Sequence, residues 1–262
     1  MYDGAVARTP RIEYAARTDV GMRRNHNEDC FGILEHEQLV LVADGMGGHA
    51  AGEVASGIAT IEVGKFYGRH YNSKEPAWPF EPNPAMSALE NRLVCAFRVA
   101  NRRIFETAHS DGGRRGMGTT LAAAAIHDGK ICIAHVGDSR VYRIQDGEIA
   151  RMTRDHSLLE QFKEINPGMT REEEHNFPHK NVITRALGLN DDVEVEVKLL
   201  DIQPGDVYLL CSDGLSGHVE DEEMLEVIST THSLRAAVGK LVDRANEEGG
   251  NDNITVILLR CS

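Results

Sequence analysis

Four short apolar runs in this chain each start or stop at an aspartate. Leu39-Val40-Leu41-Val42-Ala43 runs into Asp44, Ile131 to Val136 is followed by Asp138, Val207 to Cys211 leads to Asp213, and Ile254 to Leu259 follows Asp252. The runs are strand-length and so uniformly apolar that they read as strands buried on both faces. Taken singly, an aspartate beside a strand end is a turn residue, and Asp-Gly above all, because both residues favour turns for local reasons. Four carboxylates brought to one sheet edge would repel one another unless a positive charge lay between them. A divalent cation meets that need. No Cys and His set accompanies the acids, and oxygen-only ligation selects Mg²⁺, Mn²⁺ or Ca²⁺ over zinc or copper. Ligands scattered over the whole chain do not fit the contiguous twelve-residue calcium loop; they suit a cluster assembled by the fold.

Charge narrows the partners. With 41 acidic and 28 basic residues the net charge is −13, which argues against general affinity for nucleic acid or an anionic membrane and fits a site that concentrates cations. The five cysteines are odd in number and lack CxxC spacing, so neither a disulfide framework nor a zinc knuckle is indicated and a reducing compartment is expected. No apolar run has signal-peptide or membrane-span character, so the expectation is a soluble, cytoplasmic protein of one domain.

In chain order, Arg11 to Thr18 reads as an edge strand, and the polar stretch Asp19 to Asp29 precedes a second strand, Cys30 to Leu34. Gly45, Gly47 and Gly48 let the backbone approach whatever Asp44 holds. A helix is expected over residues 50–67, with Val54, Ile58 and Ile61 and Ala51, Ala55 and Ala59 turned inward. The Pro-rich stretch 75–84 is a surface connection in which Trp78 can pack on a helix end, and a second helix spans about 85–108 with Met86, Leu89, Leu93, Phe97, Ala100 and Ile104 in the core. Turn signals at Asp128-Gly129 and Asp146-Gly147 predict two hairpins, hence antiparallel sheets. Residues 156–188 form a polar, irregular flap with some helix, Val193, Val195 and Val197 mark a half-exposed strand, and helices follow at about 221–229 and 233–245, the second capped by Ser233.

Six motifs now stand in order: Arg24-Asn-His-Asn-Glu28-Asp29, Asp44-Gly-Met-Gly-Gly-His49, Gly116-Met-Gly-Thr-Thr120, Gly137-Asp-Ser-Arg140, Cys211-Ser-Asp-Gly214 and Gly250-Asn-Asp-Asn253. Together they resemble the metal-dependent protein serine/threonine phosphatases of the 2C type in their compact bacterial form, over roughly residues 12 to 260. The resemblance implies an α+β fold, a four-layer α-β-β-α sandwich of two antiparallel sheets flanked by helices, here a single catalytic domain over residues 1–262 with the flap inserted at about 156–188. It implies that Asp44 bridges two Mn²⁺ or Mg²⁺ ions, with the Gly45 carbonyl on the second, Asp213 and Asp252 on the first, and Glu28 and Asp29 acting mostly through metal-bound water. Asp138, with Asp213, would hold a weaker third ion, and Asn181 stands where some members add a ligand. Arg24 would bind the substrate phosphate, its guanidinium fork matching phosphate oxygens.

The implied reaction is hydrolysis of phosphoserine and phosphothreonine on proteins by a metal-bridging hydroxide attacking phosphorus in line, without a phosphoenzyme. Met46 takes the position of the histidine proposed as proton donor in animal members, leaving His49 or a metal-bound water as the acid. A nucleotide loop is disfavoured, because residues 44–49 lack the GxxxxGK[ST] lysine and open on an acid that would repel phosphate. Two other functions compete: a metal-dependent phosphopeptide-binding module and a regulatory pseudophosphatase. A pseudophosphatase should have lost metal ligands, and none of them is missing here. The expected partners are phosphoproteins, including a cognate Ser/Thr kinase, and the expected state is a monomer.

Overall fold

The computed structural model describes residues 11–47, 51–73, 78–110 and 114–262. Three strands come first, β1 (Ile12–Asp19), β2 (Asp29–Leu34) and β3 (Leu39–Met46), then two long helices, α1 (Ala51–His70) and α2 (Ala88–Ser110). The middle of the chain is β4 (Gly118–Thr119), β5 (Leu121–His127), β6 (Lys130–Val136), β7 (Arg140–Gln145) and β8 (Glu148–Arg151). Short helices α3 (Leu158–Ile165) and α4 (Arg171–His175) precede β9 (Glu196–Asp201) and β10 (Val207–Cys211). The one-turn α5 (Asp213–Ser216), then α6 (Asp221–Thr230), α7 (Leu234–Glu247) and β11 (Ile254–Cys261) follow.

The strands form two antiparallel sheets, one in the order β1-β11-β10-β7-β8 and the other β2-β3-β5-β6-β9, with β4 added beside β3. The two hairpins turn where the sequence placed them. Asp128 and Gly129 have φ of 50° and 73°, and Asp146 and Gly147 have 52° and 81°, the paired positive φ that an Asp-Gly step supplies in a tight hairpin.

Alternation along the buried strands explains the layering. Leu39, Leu41 and Ala43 of β3 face α1 and α2, whereas Val40 and Val42 face the other sheet and meet Leu210 and Ile257 in the same central cluster. A third cluster joins the outer face of the β1-β11-β10-β7-β8 sheet, through Leu209, Val256 and Leu258, to Leu241 and Val242 of α7. Three cores separate four layers, the α-β-β-α sandwich that the motifs implied.

Several expectations are corrected in detail. Ile61 is 54% exposed, because the small residues Ala51, Ala55 and Ala59 set the buried stripe of α1 and bring the helix down on β3. At its N-terminal end the approach is backbone to backbone: a Cβ on Gly45 would lie 2.1 Å from the Gly52 carbonyl oxygen. The second helix starts at Ala88 because Ser87 and Glu90 cap it, the Ser87 N–H donating to Oε2 at 2.8 Å, so Met86 lies outside the helix and only half-buried. Of the three valines placed in one strand, Val197 alone lies in β9, while Val193 is buried ahead of it. Trp78 does pack on the end of α1, its ring 6.3 Å from that of Phe66 and 6.5 Å from that of His70. His49 lies outside the described residues.

Candidate active site

The first two acids meet across one ladder. Asp29 opens β2 opposite Asp44 near the end of β3, so the register that pairs these strands also pairs the carboxylate-bearing residues. Asp44 is fixed by Thr120, whose Oγ1 accepts the Asp44 N–H at 3.0 Å and whose own N–H donates to the Asp44 carbonyl at 2.8 Å. Unlike an ordinary Asp-Gly turn, Asp44 and Gly45 stay within the strand, with Gly45 opposite Thr119.

Loops of the other sheet supply Asp213 and Asp252, and the crossing between the sheets supplies Asp138. Asp213 and Gly214 begin α5 directly after β10, with Ser212 at the cap position. Ser212 Oγ donates to Asp29 Oδ2 at 2.7 Å, tying the two sheets together at the site. Asp252 precedes β11, and Arg24 Nη2 lies 2.7 Å from its Oδ2. Asn253 acts as a staple between these loops: its Oδ1 accepts the Glu28 N–H at 2.7 Å, and its Nδ2 donates to the carbonyls of Val20 and His26 at 3.0 and 2.9 Å. Asp138 lies in the turn between β6 and β7.

Asp138, Asp213 and Asp252 line a groove of about 570 Å³ together with Asn181 and Lys163 from the 156–188 segment. Glu28 is set slightly apart, its carboxylate against the first turn of α1, where a Cβ on Gly52 would lie 2.7 Å from Oε1. The structure therefore gathers Asp29, Asp44, Asp138, Asp213 and Asp252, with Arg24 bound to one of them and Glu28 and Gly45 adjoining through the Gly45 N–H to Glu28 carbonyl bond of 3.1 Å.

Electrostatics gives the test of whether these residues fit a cation. Burial raises the Asp44 carboxyl well above the ordinary aspartate range, and the charges of Asp29, Asp213, Asp138 and Asp252 raise it further. Burial also lifts Asp29 to about 7, with Asp213 and Asp252 adding to it against the hydrogen bond from Ser212. Asp138 is lifted to about 7 by burial and then by Asp213, and Asp213 is raised by burial and Asp252. Asp29 Oδ1 and Asp213 Oδ1 are buried without a hydrogen-bond partner. Hard oxygen donors, mutual repulsion and unpartnered carboxylate oxygens are the environment that a divalent cation would satisfy.

Comparison with known proteins agrees. A profile described as protein phosphatase 2C matches residues 22–258. This chain belongs to the protein phosphatase 2C family. It is 38% identical over 248 residues to the serine/threonine phosphatase stp of Listeria innocua, covering 93% of each chain. It is 36% identical to the serine/threonine protein phosphatase PstP of Mycobacterium tuberculosis over 94% of this chain and 44% of that protein. A crystal structure of the PstP catalytic domain with two manganese ions superposes with a TM-score of 0.82 at 34% identity, covering 97% of this chain and 99% of that one. The serine/threonine phosphatase of S. agalactiae superposes at 0.83 with 32% identity, covering 96% of this chain and all of that one, 100%. As a member of the 2C family this protein is a metal-dependent protein phosphatase.

Sequence reasoning passed over the residues that hold the acids in place. Ser212, Asn253, Thr120 and Ser139 all occur inside the quoted motifs, but their work is to bridge separate strands, and short-range patterning carries no sign of a partner about 40 to 225 positions away, as with Ser212 to Thr255 and Asn253 to Glu28.

Proposed function

We infer that this serine/threonine protein phosphatase hydrolyses phosphoserine and phosphothreonine with Asp44, Asp213 and Asp252 as its principal metal-holding residues and Arg24 as its phosphate clamp. The observation that supports this most is the convergence of five carboxylates at one sheet edge, of which Asp29, Asp44, Asp138 and Asp213 are pushed upward by burial and by their neighbours. In this reading Asp44 would be shared by two Mn²⁺ or Mg²⁺ ions, with the Gly45 carbonyl, Asp213 and Asp252 as the other residues that would hold them, and Asp138 with Asp213 would hold a weaker third. When bound, the cations supply an activated water for in-line attack on phosphorus and neutralise the phosphate oxygens. Glu28 and Asp29 orient water around them, with Ser212 holding Asp29. Residues 156–188 act as a flap within a single domain of 262 residues, and Asn181 lines the groove from it. A pseudophosphatase is disfavoured because all the implied ligands are present.

The same reading makes the enzyme a cytoplasmic monomer whose substrates include a cognate Ser/Thr kinase. All five cysteines are free, which suits a reducing compartment. Hydrolysis of a phosphopeptide with Mn²⁺ and with EDTA tests the activity directly: turnover that survives complete chelation would overturn it.

Arg24 separates phosphate binding from metal binding. It spends its charge on Asp252 in this structure and lies half-exposed, free to turn toward a bound phosphate. Loss of one charge-assisted contact of about 1.5–3 kcal/mol in Arg24→Ala should raise KM about 10- to 100-fold. Calorimetric Mn²⁺ affinity should hold, and its collapse would show that Arg24 supports the cations instead.

Asp138 offers few protein ligands, so its cation is the weak one. Asp138→Ala should leave two tight Mn²⁺ sites and deplete the third in titration calorimetry. A phosphoserine leaving group must be protonated, whereas p-nitrophenolate leaves unaided at neutral pH. In a leaving-group role the cation at Asp138 would supply the water that gives this proton, and the loss of kcat should then be larger on a phosphopeptide than on p-nitrophenyl phosphate. Equal losses would refute a leaving-group role, and an unchanged third ion would refute the ligand assignment.

A further inference from the structure

The turn that carries Asp138 is gripped from its outer side by a histidine. Gly137 has φ +104° and leads into Asp138; its N–H lies 2.9 Å from His156 Nδ1, and its carbonyl accepts the His156 N–H at 3.0 Å. His156 is also the root of the 156–188 segment, because its carbonyl accepts the Thr184 N–H at 2.7 Å as that segment returns. Its Nε2 lies 2.9 Å from Glu196 Oε1 on β9.

These contacts fix the tautomer. A backbone N–H aimed at Nδ1 needs a lone pair there, so the neutral ring carries its proton on Nε2, directed at Glu196. Arg185 Nη1 is 3.0 Å from Nε2, but it cannot donate to a protonated nitrogen; its guanidinium serves Glu194 at 3.1 Å and Glu196 at 3.5 Å. Burial, with Arg185 adding to it against the pull of Glu196, holds the His156 pKa below the ordinary histidine value, which favours this neutral form.

His135 stacks on His156 with ring centroids 4.7 Å apart, and these two with Glu196 place three ligand-type atoms within 4.8 Å of one another. The set has the composition of a zinc site. Its hydrogen bonds oppose that use. A metal on His156 Nε2 would leave the proton on Nδ1, facing the Gly137 N–H, and His135 Nε2 is engaged by the Arg154 carbonyl at 2.7 Å.

The inner side of the same turn reaches the principal metal-holding acid. Ser139 Oγ lies 2.7 Å from Thr120 Oγ1, the atom that accepts the Asp44 N–H. There is no slack between turn and strand, since a Cβ on Gly137 would lie 2.6 Å from Thr120 Cβ. We propose that His156 is a positioning residue for the reaction: its neutral ring, oriented by Glu196, clamps the Gly137-Asp138 turn to the root of the flap, so that the weak cation at Asp138 and the flap are seated together. This rests on the reading of Asp138 as the weak cation's ligand.

Two measurements test it. In ¹⁵N-labelled, deuterated enzyme an N–H···N bond transmits a scalar coupling between the nitrogens of Gly137 and His156 Nδ1, and this coupling is expected. Its absence, or the joint shift of the His135 and His156 ring nitrogens on adding Zn²⁺, overturns the clamp whether or not any variant folds. In calorimetry with Mn²⁺, His156→Leu removes the acceptor and should weaken the third site about tenfold or more, the scale typical of losing a group that orients a ligand. His156→Asn places Oδ1 where Nδ1 stood and should restore most of that affinity, with both tight sites unchanged in either variant. Asp138→Ala is the reference. If it leaves the weak site intact, the reading of Asp138 fails while the Gly137 coupling still stands. If it abolishes the site and His156→Leu does not weaken it, the positioning role alone is overturned.

Discussion

Asp44→Asn is expected to lower phosphopeptide turnover by orders of magnitude while raising the melting temperature of the metal-free enzyme. The amide keeps the shape of the side chain, and the hydrogen bonds from Thr120 to the Asp44 backbone do not involve the carboxylate, so β3 should stay in place. What disappears is a charge that burial and four neighbouring acids make costly. Without metal, a neutral residue here relieves repulsion on Asp29, Asp213, Asp138 and Asp252, and each kcal/mol relieved should add about 2–4 °C in a domain of this size. With Mn²⁺ the order inverts, because the parent gains the cations and the variant cannot share one charge between them. Parent-level turnover would sink the assignment of Asp44 as the shared ligand. A metal-free variant that melts below the parent would sink the electrostatic account of the site.

The acids were legible in the sequence because each is the sharp end of a strong local signal. Leu39 to Ala43 could only be a strand buried on both faces, and the structure divides it between two cores, Leu39, Leu41 and Ala43 on one side and Val40 and Val42 on the other. The Asp-Gly hairpins were equally local, since positive φ at both positions is a demand that few residue pairs meet. Where the reading failed, packing across the fold overrode the local pattern. Ile61 was placed in the core by helical spacing, yet α1 turns its alanines inward because the Gly45 and Gly52 backbones touch, and that contact couples two elements that periodicity treats separately. The resemblance between Asp44-Gly45 and Asp213-Gly214 was likewise real in sequence and different in structure. Thr119 keeps Gly45 in a ladder, whereas Gly214 starts a helical turn against Asn253, where a Cβ would lie 2.0 Å from the carbonyl oxygen. The clamp at His156 was invisible for the same reason: its partners Gly137 and Glu196 lie 19 and 40 positions away.

Stabilisation by Mn²⁺ should grow as pH rises. In the metal-free protein Asp29 and Asp138 are raised from 3.8 to about 7, burial being the first cause in each. A carboxyl raised in this way contributes stability that is fully present below its unfolded pKa and is lost as pH climbs through its folded pKa. Through these two groups the metal-free enzyme therefore weakens between about pH 4 and pH 7, as buried protons must be given up to like-charged surroundings. A bound cation removes that penalty, because the carboxylates then face a positive charge and stay ionised. At the acid end protons compete with the cation for the same oxygens, so both terms make the difference between the Mn²⁺ and EDTA melting temperatures small near about pH 5 and large near about pH 8. His135 and His156, both lowered chiefly by burial, lose stability in the opposite direction, as pH falls; His135 does so with and without metal and cancels in the difference, whereas a charged His156 would release the clamp on the Asp138 turn and so further reduces the Mn²⁺ stabilisation at the acid end. At a hundredfold excess over Kd each site contributes about 2.7 kcal/mol, which corresponds to about 5–10 °C per site for a domain of this size. Differential scanning calorimetry in matched buffers measures it. A difference that is flat across this range, or that shrinks with rising pH, would mean that the raised carboxyls are not the groups the cations bind.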